Sequence, residues 1–485
     1  MSDEILKLQP KEVWNNFYKL TQIPRPSKKE QKVIAFMKKW GEDLGLETIV
    51  DGVGNVIIRK PATPGMEDRK GIVLQAHLDM VPQKNSDVNH DFEKDPIDAY
   101  IDGEWVTARG TTLGADNGMG VSAAMAVLES KNIKHGPVEA LFTIDEETGM
   151  TGAFGLKAGL LKGDILMNLD SEDEGELYVG CAGGTNANLF YDYTEEATPA
   201  GYKGYKINIA GLKGGHSGVD ISLGKGNANV LLARFLYDAI KKYNIRIAEF
   251  EAGNMRNAIP REGFAVLAVS ADKANDFSAY VKEYEKIIQN EYKTIDPGLT
   301  FIAETFNVPD KVMNDDDQLK FISALIVTPS GVIRMSNDME GLVETSTNLS
   351  IVIIRNGKAE VKSLLRSSVD SAKYALQDVH ESIYKLIGAR TEFDGEYPGW
   401  KPNMASPILK AMQEQYNNLY GKIPEIKAIH AGLECGLLGG VYTNWDMISF
   451  GPTIRYPHSP DERVNIETVN KFWNFLLNTL ENAPK

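Results

Sequence analysis

The amino-acid sequence predicts an α/β protein in which a domain with a central sheet flanked by helices is interrupted by an inserted α+β domain. In the first 187 residues, short apolar β-prone segments occur among segments of helical periodicity, which favours strands joined by helices. Near residue 188 the pattern changes to strands and longer amphipathic helices, and from residue 398 the first pattern returns. We therefore expect residues 1–187 and 398–485 to form one domain and residues 188–397 to form the insert.

The composition indicates a soluble globular protein of several domains. A chain of 485 residues is too long for one ordinary core, and its 42% hydrophobic and 25% charged residues are typical of globular proteins. A formal net charge of −15 argues against a nucleic-acid or anionic-membrane surface. Two cysteines, no secretory signal and no apolar run near the ~20 residues of a membrane span predict a cytoplasmic protein.

Helical and strand periodicities place elements along the first domain. Val13, Phe17 and Leu20 recur at helical spacing, and Ser27 with Glu30 has the spacing of a capping box that opens a second helix. The segment 71–79, mostly apolar and β-prone over 72–75, is predicted to be a buried strand that ends on His77 and Asp79. Further strands are predicted at 53–58, 101–107, 138–144 and 165–169, and a helix at 119–128.

The same periodicities define the insert and the returning segment. In the insert, strands are predicted at 205–209, 264–269, 347–354 and 358–365, and helices at 227–243, 276–292, 319–327 and 371–387. After the insert, we expect helices at 407–420 and 466–480 and a strand at 447–450.

Polar side chains follow three predicted core strands at their carboxyl ends, where open α/β sheets place their ligands. His77 and Asp79 are two residues apart and so project to the same side of an extended chain. Glu146 and Glu147 follow the next predicted core strand, and adjacent acids are costly unless a cation lies between them. Asp170 follows the third. Each could alone be a solvated strand end or an exposed acidic turn, but all three together predict a metal site.

Two loop residues extend this set. Asp116 lies in a glycine-bearing loop before a helix, where a helix N-cap is the alternative role. His458 lies between Pro457 and a Ser-Pro pair, and the prolines restrict the loop, although a surface turn histidine is the alternative. Histidines and carboxylates with almost no cysteine favour Zn²⁺, Mn²⁺ or Co²⁺.

The neighbouring residues suggest how such a site would work. Glu146 and Glu147 would point to opposite sides of an extended segment, so that one can be a ligand and the other a general base. Asp79 could hydrogen-bond the imidazole of His77. Two ions about 3.5–4 Å apart and bridged by one carboxylate would activate water and polarise an acyl oxygen.

Several longer motifs resemble one known group of enzymes. They are found at residues 73–82, 109–118, 146–147, 211–218, 256–260, 430–436 and 457–461. Over nearly the whole chain, the sequence resembles the aminoacylase/carboxypeptidase-G superfamily of dinuclear metallopeptidases, and within it the dipeptidase branch.

This resemblance implies a metal centre with two zinc ions, with cobalt or manganese as alternatives. Asp116 would bridge the two ions. His77 and Asp170 would complete one ion's ligands, and Glu147 and His458 those of the other.

The resemblance also implies roles beyond the metal ligands. Glu146 would be the general base, and Asp79 would orient a metal-binding histidine. In the inserted domain, which would serve as a lid, His216 would stabilise the oxyanion. Asn257 and Arg366 would hold the substrate's carbonyl and carboxylate groups. The alternatives are a turn histidine for His216 and a surface ion pair for Arg366.

The implied activity is hydrolysis of unblocked dipeptides, including Xaa-His, by attack of a water that bridges the two metal ions. A homodimer through the inserted domain is implied as well. A deacylase of N-acyl amino acids on the same scaffold and a catalytically inactive metal-binding relative are the alternatives. Glu146 argues against an inactive relative, because a binding protein has no use for a free general base.

Overall fold

The computed structural model describes residues 3–485, which divide into two compact units. Unit 1 comprises the chain up to Gly180 together with Pro402–Ala428 and Leu433–Lys485, and unit 2 comprises Cys181–Lys401 and Ile429–Gly432. Among the described residues, no helix is both long and apolar enough to span a membrane.

The first part of unit 1 alternates helices with strands. In chain order its elements are a 3-10 helix (Asp3–Lys7), α1 (Lys11–Thr21), α2 (Gln31–Asp43), β1 (Glu47–Val50), β2 (Val56–Lys60), β3 (Ile72–His77), β4 (Ala99–Asp102), β5 (Trp105–Ala108), α3 (Ala115–Glu129), β6 (Val138–Thr143), α4 (Glu146–Gly149), α5 (Thr151–Gly155), β7 (Ile165–Asn168) and β8 (Glu176–Cys181). Val13, Phe17 and Leu20 are buried on α1, so the helical spacing of these apolar residues is confirmed.

Unit 2 is built around a large antiparallel sheet with four long helices. Its elements are β9 (Gly183–Asp192), β10 (Glu195–Ala197), β11 (Tyr202–Ala210), β12 (Gly215–His216), a 3-10 helix (Ile221–Leu223), α6 (Ala228–Tyr243), β13 (Arg246–Ala252), β14 (Ala258–Ile259), β15 (Gly263–Ser270), α7 (Ala274–Tyr292), β16 (Thr300–Phe306), β17 (Lys311–Met313), α8 (Asp315–Val327), β18 (Gly331–Met335), β19 (Val343–Arg355), β20 (Lys358–Ser367), α9 (Asp370–Leu386) and β21 (Arg390–Tyr397). The sheet order is β16-β11-β15-β13-β19-β20-β9-β21, with β18 added to β19.

The core of unit 2 lies between this sheet and its helices. It contains the aromatic side chains of Phe235, Phe277 and Phe301. The ring centroid of Phe235 lies 5.9 Å from that of Phe277 and 4.9 Å from that of Phe301. The side chain of Asn227 caps α6 by accepting the backbone N–H groups of the first turn. Local capping and apolar periodicity therefore fix this helix where the sequence predicted it.

The returning chain completes unit 1. Its elements are α10 (Pro407–Tyr420), β22 (Glu425–Ile429), α11 (Glu434–Val441), β23 (Asp446–Ser449), β24 (Ile454–Arg455), β25 (Arg463–Asn465) and α12 (Ile466–Glu481). Ser406 caps α10, which has proline in its first turn, and Asn465 caps α12.

The main sheet of unit 1 has the order β1-β2-β6-β3-β7-β23-β8-β22. Strands β6, β3, β7 and β23 run parallel, with His77 opposite Thr143 and Gln75 opposite Asn168. Their carboxyl ends therefore meet at one edge of the sheet. A second sheet of order β24-β25-β5-β4 holds the loop 456–462 between two paired strands.

The α/β architecture is confirmed, but two local predictions are wrong. The single strand predicted at 101–107 is the hairpin β4–β5, because the chain turns at Gly103 with a φ of 60°. Ser27 and Glu30 do not form a capping box: α2 begins at Gln31 without a side-chain cap. The Ser27 hydroxyl donates to Asp79, since a buried carboxylate lies within its reach.

Candidate metal centre

The parallel strands of unit 1 bring the predicted ligand residues to one edge of the sheet. His77 is the last residue of β3, and Asp170 follows β7 by two residues. Glu147 lies in the short helix α4, which follows β6. His458 lies in the loop between β24 and β25 with a φ of 59°.

Asp116 stands between two groups of side chains. Its Oδ1 lies 3.0 Å from His77 Nε2, and that nitrogen also lies 3.3 Å from Asp170 Oδ1. Its Oδ2 lies 3.2 Å from His458 Nε2, which is 2.8 Å from Glu147 Oε2. One carboxylate is therefore shared by two three-residue sets, each with ligand atoms within 4.8 Å of one another.

The backbone around Asp116 explains why it is not a helix cap. The helix α3 is preceded by Gly114, and Asp116 itself has non-helical angles of φ −79° and ψ 111°. The peptide bond that joins Asp116 to Asn117 is cis. The Asp116 carboxylate lies beside the two histidines, 3.0 Å from His77 Nε2 and 3.2 Å from His458 Nε2, and α3 has no side-chain cap.

The charged groups of the cluster are close enough to shift one another's pKa values. Burial, together with Asp116 and Glu147, raises the pKa of Asp170 to about 7, although His77 opposes the shift. Hydrogen bonds with Asp116 and Glu147 raise the pKa of His458 to about 11. Burial opposes ionisation of Asp116, but hydrogen bonds from both histidines hold its pKa well below its usual range.

Two oxygens of the cluster lack hydrogen-bond partners. Oε1 of Glu147 and Oδ1 of Asp170 are buried and accept no hydrogen bond within the described chain. Buried polar atoms are normally satisfied, so these two atoms are suited to coordinate a cation. The imidazole and carboxylate donors fit a borderline-to-hard divalent ion.

Asp79 anchors the chain beneath this cluster. It is fully buried, its Oδ1 accepts the backbone N–H of Glu146 at 3.0 Å, and its Oδ2 accepts that of Glu147 at 3.3 Å. The Ser27 hydroxyl donates to Oδ2 at 2.8 Å. Burial opposes the ionised form of Asp79, but His77, Ser27 and the Glu146 N–H lower its pKa to about 2.

The contact between Asp79 and His77 differs from the predicted one. Nδ1 of His77 is hydrogen-bonded to the backbone carbonyl oxygen of Asp79 at 3.2 Å, and the nearer carboxylate oxygen lies 3.4 Å away. A carbonyl oxygen only accepts, so Nδ1 of His77 carries a proton, and Nε2, which faces Asp116 and Asp170, is the ring nitrogen that could act as a ligand.

Glu146 and Glu147 do not lie on an extended segment, as the sequence reasoning assumed. They begin α4, because Asp145 adopts left-handed angles of φ 52° and ψ 39° and turns the chain. Each has a carboxylate oxygen within 4.8 Å of a ring nitrogen of His77. Burial, with Asp170 as the leading acidic neighbour, raises the pKa of Glu146 well above its usual range.

Two of the predicted substrate residues lie side by side in unit 2. The strands β12 and β14 place His216 opposite Ala258, and the backbone carbonyl of Asn257 accepts the N–H of Ser217 at 2.8 Å. Nδ1 of His216 accepts the N–H groups of Gly218 and its successor at 3.1 and 3.0 Å, so the ring proton lies on Nε2. Burial and the positive charge of a nearby arginine lower the pKa of His216.

That arginine is Arg366 on β20, and it is not a surface ion pair. Its side chain is 5% exposed, and no carboxylate within residues 3–485 lies within 4 Å of its guanidinium. Nη1 donates to the Tyr397 hydroxyl at 3.0 Å, whereas Nε is buried without a partner in the described chain. Arg366 therefore has an unused donor, which suits it to bind a carboxylate.

The sequence did not reveal several residues near the candidate ligands of unit 1 or near the candidate substrate residues of unit 2. His430, from the short return segment of unit 2, pairs through Nε2 with Ser346 Oγ at 2.7 Å, and burial with nearby Arg366 lowers its pKa to about 3. In unit 1, Glu434 accepts hydrogen bonds from Gln75 and Thr143. The motif at 430–436 contained His430 and Glu434 but gave no role. Arg25 and Glu462, also in unit 1, carried no local signal.

Comparison with known proteins identifies the class of this chain. The model of Peptidase family M20/M25/M40 matches residues 73–482. The chain belongs to this peptidase family, and the predicted resemblance is confirmed.

More particular relatives agree over the full length. The cytosol non-specific dipeptidase of Escherichia coli (strain K12) is 48% identical and covers 99% of both chains. The crystal structure of aminoacylhistidine dipeptidase from Vibrio alginolyticus superposes with a TM-score of 0.95 at 49% identity, covering 100% of this chain and 99% of the other. The aminopeptidase PepT from Bacillus cereus shares the fold alone, with 18% identity, a TM-score of 0.57 and coverage of 98% and 99%.

Proposed function

We propose that this chain is a metal-dependent dipeptidase that hydrolyses unblocked dipeptides, including Xaa-His. The observation that carries the proposal is the Asp116 carboxylate shared by two sets of potential ligands. The full-length relatives named as a cytosol non-specific dipeptidase and an aminoacylhistidine dipeptidase support the same substrate class.

We propose that two divalent ions share Asp116. His77 and Asp170 would hold one of them, and Glu147 and His458 the other. Zinc is the proposed metal, with cobalt or manganese as alternatives, because the donors are imidazole and carboxylate groups. Such a pair of ions lowers the pKa of water and polarises a carbonyl oxygen.

Glu146 is the proposed general base. It belongs to neither set that shares Asp116, yet its carboxylate reaches the same edge of the sheet, and Asp79 fixes its backbone. In this role it takes a proton from the attacking water and delivers it to the nitrogen of the leaving amino acid.

The residues of unit 2 are proposed to bind substrate. Nε2–H of His216 is a neutral donor for the developing oxyanion, since Nδ1 is occupied by two backbone N–H groups. Arg366, with a buried donor unused, would bind the C-terminal carboxylate of the dipeptide. Asn257, beside His216, would hold the substrate carbonyl.

The test combines a metal count with a substrate panel. We expect the purified protein to hold about two metal ions per chain and to release amino acids from dipeptides, with activity lost on chelation and restored by zinc. N-acyl amino acids serve as the comparison substrates. Cleavage of these in preference to dipeptides would make the chain a deacylase and refute the proposal.

A variant separates the base from the ligands. We expect Glu146→Ala to keep its metal and lose about 10²–10⁴-fold in kcat, because only proton transfer is removed. Near-normal turnover in metal-loaded Glu146→Ala would remove Glu146 from the mechanism.

A homodimer formed through the inserted domain and a cytoplasmic location complete the proposal. The name of the Escherichia coli relative supports the location. Light scattering of the purified chain would measure its mass against the 53.5 kDa of one copy. A monomer at working concentration would contradict the dimer and leave the hydrolytic mechanism unaffected.

A further inference from the structure

Two charged residues outside the proposed ligands are buried next to them in unit 1. Arg25 follows α1 and Glu462 ends the loop that carries His458, and each is 2% exposed. A buried charge is costly unless nearby groups compensate it. The partners of these two residues are backbone groups of the segments that carry the ligands.

Arg25 joins two of these segments. Its Nη1 donates to the backbone carbonyls of Leu78 and Asp79, at 2.9 Å each. Its Nη2 donates to the carbonyl of Gly114 at 2.5 Å. The first two carbonyls directly follow His77, and the third lies two residues before Asp116. One guanidinium thus holds the end of β3 against the loop before α3.

The glycines of that loop make room for the guanidinium. A Cβ atom on Gly114 would lie 2.6 Å from Nη2 of Arg25, and one on Gly118 would lie 2.7 Å from it. Gly114 also has a φ of 71°, which a side chain would strain. Gly114 and Gly118 of the motif at 109–118 therefore leave space for the buried guanidinium of Arg25.

Glu462 binds the backbone N–H groups of the same loop. Its Oε2 accepts the N–H groups of Leu113 and Gly114 at 2.7 and 2.9 Å. Its Oε1 accepts those of Ala115 and Asp116 at 2.7 and 3.1 Å. These four N–H groups lie at the start of α3, where an anion is stabilised. The loop cannot turn without breaking hydrogen bonds to a charged acceptor.

We propose that Arg25 and Glu462 are positioning residues that fix the carboxylate of Asp116 relative to His77 and His458. Arg25 ties the His77 strand end to the Asp116 loop, and Glu462, four residues after His458, ties that histidine's loop to the same place. This inference rests on the proposed function, because it concerns the carboxylate that two metal ions would share.

The chain contains a matched pair with no proposed role at the metal centre. Glu139 is 5% exposed and accepts the N–H groups of Lys162 and Gly163 at 2.6 and 2.8 Å. Arg59 Nε donates to it at 2.8 Å. The pair lies near the amino ends of β6 and β7, at the edge of the sheet opposite to the ligands. If Glu462 only stabilises the fold, substitutions at Glu462 and Glu139 will behave alike.

The test compares Glu462→Gln with Glu139→Gln in the full-length protein. Glutamine has one acceptor oxygen, so its NH₂ group would face one pair of N–H groups in the Asp116 loop. We measure zinc affinity by competition with a chromophoric chelator, and the melting temperature with and without zinc. Both variants should melt lower without metal. Glu462→Gln should also bind zinc about 10- to 100-fold more weakly and show a smaller zinc-induced rise in melting temperature.

Glu139→Gln should keep the zinc affinity and the zinc-induced rise of the wild type. Arg25→Lys is the second variant, because an ammonium keeps the charge but cannot hold three carbonyls with a planar fork. It should weaken zinc binding in the same direction as Glu462→Gln.

If Glu462→Gln binds zinc with wild-type affinity, the inference is overturned. If Glu462→Gln does not fold, wild-type zinc affinity in Arg25→Lys overturns the inference instead. Equal loss of zinc affinity in Glu462→Gln and Glu139→Gln also overturns it. A wild-type chain that binds no metal overturns the proposed function, which the wild-type titration alone reveals.

Discussion

Replacing Asp79 by asparagine tests whether the buried anchor of α4 matters for turnover. The carboxylate accepts three hydrogen bonds, from Glu146 N at 3.0 Å, Glu147 N at 3.3 Å and Ser27 Oγ at 2.8 Å. The amide has one acceptor oxygen. If that oxygen keeps the two donors on the Oδ2 side, the N–H of Glu146 faces an amide NH₂ and loses its acceptor.

A hydrogen bond to a charged group contributes about 1.5–3 kcal/mol, so this loss should cost about 10- to 150-fold in kcat if it misplaces Glu146. We expect Asp79→Asn to lose that much turnover of a dipeptide while KM changes little and about two metal ions stay bound. Ser27→Ala is the matched control, because it removes one neutral donor and leaves both backbone N–H groups paired. Asp79→Asn with kcat within about twofold of the wild type, folded and metal-loaded, would refute the reasoning.

Two further predictions concern unit 2. A Cβ on Gly218 would lie 2.0 Å from the carbonyl oxygen of His430. Gly218→Ala should therefore lose about 1–3 kcal/mol of unfolding free energy and raise the KM for dipeptides. The control variant is Gly52→Ala, because a Cβ on Gly52 meets nothing within 4 Å. Equal stability and KM in these two variants would contradict this packing. Burial lowers the pKa of His380 to about 4, despite its hydrogen bond to the Leu376 carbonyl. The folded state thus resists protonation of His380, whereas the unfolded state takes up the proton near the ordinary pKa of about 6.5. The stability contributed by neutral His380 is therefore complete above a pH of about 6.5 and is lost as the pH falls towards 4. Between pH 7 and 5, the wild type should lose about 2 kcal/mol more than His380→Leu in urea unfolding, and equal losses would contradict the burial effect.

The parts of this protein that follow local rules could be predicted from sequence. The strand ends at His77 and Asp170 were identifiable because apolar segments stop abruptly at polar residues. Parallel pairing of β3, β6 and β7 then brings those ends to one edge. The helix α6 could be predicted equally well, since its apolar periodicity and its Asn227 cap are both local features of the sequence.

The parts that depend on distant partners could not be predicted. Ser27 and Glu30 have a capping-box spacing, but their partners are Asp79 and the N–H groups of Lys28 and Asp145. The tertiary hydrogen bond from Ser27 to Asp79 therefore replaces the capping box that the local spacing predicted. Arg25 gave no signal for the same reason, because its acceptors are backbone carbonyls 53 to 89 positions away.

The two adjacent glutamates of the short helix α4 have different surroundings, which bears on the different roles proposed for them. Successive side chains on a helix diverge by about 100°, so geometry alone does not send them to opposite faces. Glu147 is drawn to His458 at 2.8 Å, whereas no hydrogen bond to the Glu146 carboxylate is seen among the described residues, although it lies near His77. Both backbone N–H groups are held by Asp79. The different roles proposed for Glu147 as ligand and Glu146 as base therefore rest on the different neighbours of the two carboxylates, while Asp79 holds the backbone of both residues.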